Sequence, residues 1–240
     1  MRHTPPDNGY TFLTPDDVAG TRRTVWHESA RNVTVFSTMP QLGIGPVSYL
    51  IKQDAGNILF EGTAWYSDDV LGYIESLGSV RWIAASHPHA YGGLWRVQER
   101  FEPDVAIQVQ DLLWTNAMRV TWPWDDRLEL APGVQLIHTG GHFPGHAVLW
   151  DRDRRTLFAG DVLKFHYNGD QLAGISCHKA FNRQVPLSHA EIRRYRQVMG
   201  DLDFDHVFTS FEDAPMSRDA VLRLFDTRLA GRPSAEPLPL

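Results

Sequence analysis

Cysteine is almost absent: Cys177 is the only one in 240 residues. No disulfide can form within the chain, which points to a reducing compartment rather than to a stapled secreted scaffold. Long hydrophobic runs are missing as well. No stretch approaches the ~18 apolar residues that a membrane span needs, and Met1-Arg2-His3-Thr4-Pro5-Pro6 lacks the apolar core of a signal peptide. The expectation is a soluble, cytoplasmic protein with no membrane partner. Excess positive charge is absent too: 23 Lys and Arg stand against 29 Asp and Glu, a formal net charge of −6. The densest cationic stretches, Arg152 to Arg155 and Arg193 to Arg196, are short and mixed with other residues, so nucleic acid is not an expected partner. Internal repeats and low-complexity blocks are also lacking. What remains is ordinary globular composition, 42% hydrophobic and 22% charged, in a chain long enough for one domain with a sizeable core.

Residues 1–20, rich in Pro, Asp and Gly, read as an extended arm; residues 232–240 read as a flexible, Pro-rich tail. The folded domain spans 21–231. Val33–Phe36, Val47–Ile51 and Asn57–Glu61 have strand character, and Asp54-Ala55-Gly56-Asn57 supplies turn chemistry between the last two. Ser67 caps a helix running to Leu77, with Val70, Ile74 and Leu77 on one face. Val80–Ala85 reads as a buried strand, and Gly92-Gly93 opens a helix to Phe101. Val105–Val109 is a strand, Asp111–Arg119 a short helix, and Trp122–Asp126 a break. Strands follow at 127–130, 134–138, 147–150 and 155–159, the last pair a hairpin. Residues 162–185 look irregular. Ser188, with Glu191 at the capping-box position, starts a helix to Gly200; His206–Thr209 is a strand and Ser217–Leu229 a helix. Hairpins interrupted by helices suggest two packed sheets with helices outside.

Ligand-type residues gather just past the strand ends. His87 and His89 flank Pro88, directly after the Val80–Ala85 run. Proline biases the residue before it toward extended geometry, and residues i and i+2 of an extended segment point the same way. His142 lies in Thr139-Gly140-Gly141-His142-Phe143-Pro144-Gly145-His146, and Asp161 follows Gly160 at another strand end. Three imidazoles and one carboxylate complete a four-coordinate zinc site.

Leu59-Phe60-Glu61-Gly62-Thr63, Ser86-His87-Pro88-His89-Ala90-Tyr91-Gly92-Gly93, Gly140-Gly141-His142-Phe143-Pro144-Gly145 and Leu157-Phe158-Ala159-Gly160-Asp161 occur in the order and spacing of the metallo-β-lactamase-fold superfamily. The chain resembles that family from about Val33 to Phe211, and the resemblance implies an α/β fold of αββα sandwich type with a metal site along one sheet edge. His87 and His89 match the first two histidines of the family's His-x-His-x-Asp-His signature, His142 its later ligand histidine, and Asp161 its bridging aspartate. Tyr91 stands where the family has Asp, Gly92 where it has His, and Phe211 where its last histidine follows a late strand. The first metal's ligands survive and those of the second are depleted.

One metal ion, zinc or iron, is therefore the expected cofactor. It implies hydrolysis of a small ester, thioester, lactone or amide, with Asp161 as fourth ligand or base and Tyr91 as hydrogen-bond donor to a developing oxyanion. A binding or regulatory protein with a degraded site, and an iron oxidoreductase, are the alternatives. Glu61 reads as a helper to the His-x-His loop and His146 as a hydrogen-bonded histidine; His166 and His178 lie in the irregular region, where the resemblance implies substrate-contacting segments, and are the alternatives for replacing a lost ligand. Cys177 reads as a buried thiol; Trp65, Trp122 and Trp124 read as pocket wall or core.

Overall fold

The computed structural model describes residues 13–180 and 185–240. Seven strands form the first sheet, in sequential order: β1 (Arg23–Glu28), β2 (Val33–Met39), β3 (Ser48–Ile51), β4 (Asn57–Phe60), β5 (Val80–Ala84), β6 (Asp104–Gln108) and β7 (Trp122–Trp124). The first four pair antiparallel; β4 to β7 are parallel. The second sheet uses β8 (Arg127–Ala131), β9 (Val134–His138), β10 (Ala147–Asp151), β11 (Thr156–Gly160), β14 (His206–Thr209) and β15 (Asp213–Pro215), in the order β15-β14-β11-β10-β9-β8. A small third sheet joins β12 (Leu163–Asn168), β13 (Gln171–Cys177) and β16 (Leu238–Pro239).

The period-2 alternation of each strand sorts its side chains into three apolar layers. Ile58 and Phe60 face the second sheet, where Leu136, Leu149, Phe158 and Phe208 meet them in the central core. Phe158 is fully buried, with the rings of Phe208, Tyr49 and Phe60 at 4.7, 5.5 and 5.8 Å; burying such a ring contributes about 1.5–3 kcal/mol. Leu59 and Ile83 point the other way, under α2 (Asp68–Ser76) and α3 (Leu94–Phe101). Val148, Leu157 and Val207 face α4 (His189–Gly200) and α5 (Arg218–Ala230). Both faces of the central strands are covered, so they read as near-continuous apolar runs. The layering is the expected αββα sandwich.

Five segments differ from the sequence reading. Within the expected arm, residues 15–21 form helix α1 (Pro15–Thr21), because Thr14 and Asp17 make a reciprocal capping box and Pro15 opens the first turn; residues 1–12 lie outside the described ones. The expected helix at 111–119 is instead a 3-10 turn over Val109–Trp114. The break at Trp122-Pro123-Trp124 is edge strand β7, where proline is tolerated. The irregular region opens with the β12–β13 hairpin, whose two-residue Gly169-Asp170 loop is a hairpin signal. Leu238–Pro239 of the expected tail pairs with β13. Among the described residues no helix is long and apolar enough to cross a membrane.

Candidate metal centre

His87 and His89 leave the end of β5. His87 is extended (φ −168°, ψ 170°) and caps the 3-10 turn Pro88–Ala90, in which Pro88 takes the first position. His89 therefore lies inside a helical turn, not on the extended segment expected from the proline. The turn still brings the rings together, with centroids 5.1 Å apart. His142 comes from the loop between β9 and β10. Asp161 follows Gly160, whose φ of +60° and missing side chain let Ser86 Oγ and His146 Nε2 sit 2.5 and 2.9 Å from where a Cβ would be. A larger residue there would push the β5 and β11 ends apart.

One ligand-type atom from each of His87, His89, His142 and Asp161 lies within 4.8 Å of all the others. Asp161 Oδ2 is 3.4 Å from His87 Nε2 and 3.6 Å from His142 Nε2. His142 Nε2 is 3.4 Å from His89 Nδ1. Two nitrogens at ~2.0–2.1 Å from a shared tetrahedral ion stand about 3.4 Å apart. On His142 and His87, the ring nitrogen turned away from the cluster is held by the protein. His142 Nδ1 donates to the Lys179 carbonyl at 2.5 Å, which leaves the Nε2 lone pair facing the cluster. His87 Nδ1 is 2.7 Å from Ser86 Oγ. The Ser86 N–H is 3.4 Å from Oε2 of Glu61, itself fully buried, so Glu61 supports the His-x-His loop as expected. His87 Nε2 and Asp161 Oδ1 are buried without a hydrogen-bond partner, and such orphaned atoms are costly unless an ion or water satisfies them. The donor set and the orphaned atoms fit a resident metal ion.

The electrostatics agree. Burial alone would raise the Asp161 carboxyl, but His87 and then His142 hold it well below the usual carboxylate range. Burial, reinforced by the neighbouring His87, pushes His89 and His142 down to about 4, so both are neutral at pH 7. An anionic carboxylate and neutral His89 and His142 suit ligation; burial would lower the His87 imidazole, but Asp161 raises it above its ordinary value, so a metal ion must displace its proton. Burial pushes the Glu61 carboxyl up to about 7, against the attraction of His87.

The sequence also matches a family model described as the Metallo-beta-lactamase superfamily over residues 43–197. The chain belongs to the metallo-beta-lactamase superfamily. Uncharacterized protein YmaE of Bacillus subtilis (strain 168) is 25% identical over 214 residues, covering 86% of this chain and 77% of that protein. Among solved structures, VMB-1 at pH 5.5 aligns with a TM-score of 0.65 at 14% identity, over 87% of this chain and 97% of that one. TTHA1623 in a di-iron-bound form aligns at 0.57 with 18% identity, over 77% and 96%. These similarities are of fold; the ligand set is argued from this chain's own geometry.

Against the superfamily pattern, the departures have structural causes. Gly92 has φ +30°, and a Cβ there would meet the Thr63 carbonyl oxygen at 2.3 Å; no ligand side chain fits where the family carries histidine. Tyr91 is 9% exposed and belongs to the apolar layer with Leu94 and Val97. Its hydroxyl is raised by burial and then by the Asp111 and Glu61 charges, so it stays protonated. His166 and His178 do not join the four: their Nε2 atoms lie 2.7 and 2.6 Å from Ser176 Oγ, which they share. His146 is fully buried with Nδ1 2.8 Å from Thr139 Oγ1, as a hydrogen-bonded histidine should be. Cys177 is buried and its thiol is pushed up to about 11 by burial. Trp65 and Trp124 are core; Trp122 is 48% exposed against Trp82.

Three contributors were not singled out from sequence. The Phe143 ring lies 4.8, 5.2 and 5.6 Å from those of His89, His142 and His87. Asp111, buried, accepts the Gly145 N–H at 3.0 Å and so anchors the His142 loop. Beside His89 is a cavity of about 370 Å³ lined by Leu42, Gly43, Ile44, Pro46, Ala64 and Gly92. Only the adjacency of Phe143 to His142 offered a sequence signal; the rest depends on tertiary placement.

Proposed function

We propose that this chain is a hydrolase of small esters, thioesters, lactones or amides, working with one metal ion held by His87, His89, His142 and Asp161. The carrying observation is the convergence of these four side chains, one ligand-type atom from each lying within 4.8 Å of all the others. Three imidazole nitrogens and one carboxylate oxygen match tetrahedral zinc, and iron(II) accepts the same donors. When bound, such an ion supplies Lewis-acid polarisation of a carbonyl and activation of water near neutral pH. The protein's residues supply the rest. Asp161 presents Oδ1, buried and unpartnered, to accept a hydrogen bond from the attacking water. Tyr91, held protonated, donates to the oxygen on which charge develops. The apolar cavity at His89 takes the side of the substrate that carries no charge. The lone buried thiol suits a cytoplasmic setting.

Elemental analysis of tag-free protein, paired with hydrolysis of 4-nitrophenyl acetate, tests this. The wild type should carry about one equivalent of zinc or iron. His89→Ala should lose the metal and lose turnover by more than the ~100-fold ceiling typical of outer-shell changes. Tyr91→Phe should keep the metal and lose kcat by about 10²-fold, the scale of one oxyanion donor. Wild-type protein that binds no metal after reconstitution, or an active His89→Ala, would overturn the reading.

A further inference from the structure

The 3-10 turn Val109–Trp114 carries an unusual load for a surface element. Val109, Leu113 and Trp114 are 39%, 68% and 53% exposed, and six consecutive residues thus turn three large apolar side chains to water. A loop has no need of them for packing. The turn is also held firmly. Asp111, at its centre, is 1% exposed and bonds the Gly145 N–H. Gln108, which precedes it, accepts from the Gln110 N–H at 2.6 Å and donates to the Asp125 carbonyl at 3.0 Å. Leu112 packs into the layer under α3. The exposed side chains therefore sit on a fixed base tied to the loop that carries His142.

They are continuous with the metal centre. The Trp114 ring stands edge-on to Phe143 with centroids 6.2 Å apart, and Phe143 touches the rings of all three ligand histidines. An apolar track runs from the ligand histidines across Phe143 to Trp114, and exposed Leu113 precedes Trp114 in the chain. Contiguous exposed apolar surface beside a site marks a binding surface. Aromatic rings offer it at low conformational cost.

We propose that Phe143, Trp114 and Leu113 form a shelf for the uncharged alkyl or acyl chain of the substrate, so that the substrate class is a medium-chain ester or thioester rather than a short polar one. This rests on the hydrolase reading for its chemistry, but the shelf itself binds without it. Trp114 and Leu113 act as specificity-determining residues and leave the ligand set untouched.

The test uses alkyl methyl ketones, which present the carbonyl and chain but cannot be hydrolysed. Binding of 2-pentanone and 2-decanone to metal-free and metal-loaded wild-type protein is measured by calorimetry. Each methylene that the shelf covers should tighten binding by roughly fourfold. The longer ketone should bind at least about tenfold more tightly, and Trp114→Ala should erase most of that ratio, with Leu113→Ser erasing part. Trp26→Ala, another exposed tryptophan stacked on Tyr73, should leave the ratio alone. Equal affinity for the two ketones, an unaltered ratio in Trp114→Ala, or a Trp114→Ala effect confined to self-association or vesicle binding would overturn the shelf. None of these results bears on metal content or turnover, so failure of the shelf and failure of the hydrolase reading are told apart.

Discussion

Position 92 bears on how many metals the proposed centre can hold. The backbone there has φ +30°, and a Cβ would lie 2.3 Å from the Thr63 oxygen and 2.8 Å from that of Gly62. Neither neighbour can move cheaply, since both are backbone and the Thr63 carbonyl already accepts the Gly93 N–H at 2.7 Å. Writing the family's histidine back at this position would therefore not rebuild a second metal site. Gly92→Ala should cost about 2–4 kcal/mol, from overpacking together with left-handed strain, read as a lowered urea midpoint with unchanged slope. Gly92→His should be worse, and should gain no second equivalent of metal. A Gly92→His protein as stable as wild type that holds two equivalents would contradict this. At this scale the sequence was most legible where several ligand-type residues recur at strand ends: His87, His89, His142 and Asp161, singled out together, are brought to one point by the fold. Phe143, Asp111 and Trp114 were not legible in the same way, because an aromatic or a carboxylate on a loop has many ordinary uses and only its neighbours in space select one.

At the scale of elements, legibility followed how local the signal is. The Ser188–Glu191 capping box marked α4 correctly, since the bonds that define it lie within four residues. The β12–β13 hairpin was missed although it carries Gly169-Asp170, because its strands mix Lys164 and His166 with apolar residues at the margin of the fold. A strand pair farther along shows how such marginal elements are secured. β15 is three residues long and pairs with β14 at the sheet edge. Its Asp213 carboxylate is 2.7 Å from His206 Nε2 and accepts the Ser29 hydroxyl at 2.7 Å. Burial would raise this carboxyl, but the bonds from His206 and Ser29 outweigh it and hold its pKa below the ordinary value. A carboxyl depressed in the folded state contributes stability above its unfolded pKa of ~3.9, and loses it as pH falls through the folded pKa. Asp213→Asn should therefore be less stable than wild type at pH 6, with the difference shrinking below pH 4. Urea titrations at pH 6, 4 and 3 check it; a gap that persists at pH 3 would show that the carboxylate charge is not the source.

Across the whole molecule, the four proposed ligands come from both sheets. His87 and His89 leave β5 of the first; His142 and Asp161 leave β9 and β11 of the second. The sandwich edge is already stitched there by the Ala147 N–H to the Ser86 carbonyl at 2.9 Å, and by the Tyr49 hydroxyl to the Thr209 carbonyl at 2.6 Å. Without an ion, the same edge holds an anionic Asp161 whose Oδ2 has only a 3.4 Å contact with His87 Nε2 and whose Oδ1 is buried without a hydrogen-bond partner, an incompletely satisfied buried charge that is costly. An ion that joins the four ligands therefore cross-links the two sheets and stabilises only the folded chain. Metal at a hundred times its Kd adds about 2.7 kcal/mol. At ~2–4 °C per kcal/mol for a domain of this size, the wild type should melt about 5–10 °C higher in zinc than in chelator. His89→Ala should show little of that shift, because one corner of the cross-link is gone. Ser176→Ala, outside the ligand set, should keep it whatever its own melting temperature. Equal shifts in wild type and His89→Ala would mean that zinc stabilises the fold from elsewhere, and that the sheets are held together by their apolar core alone.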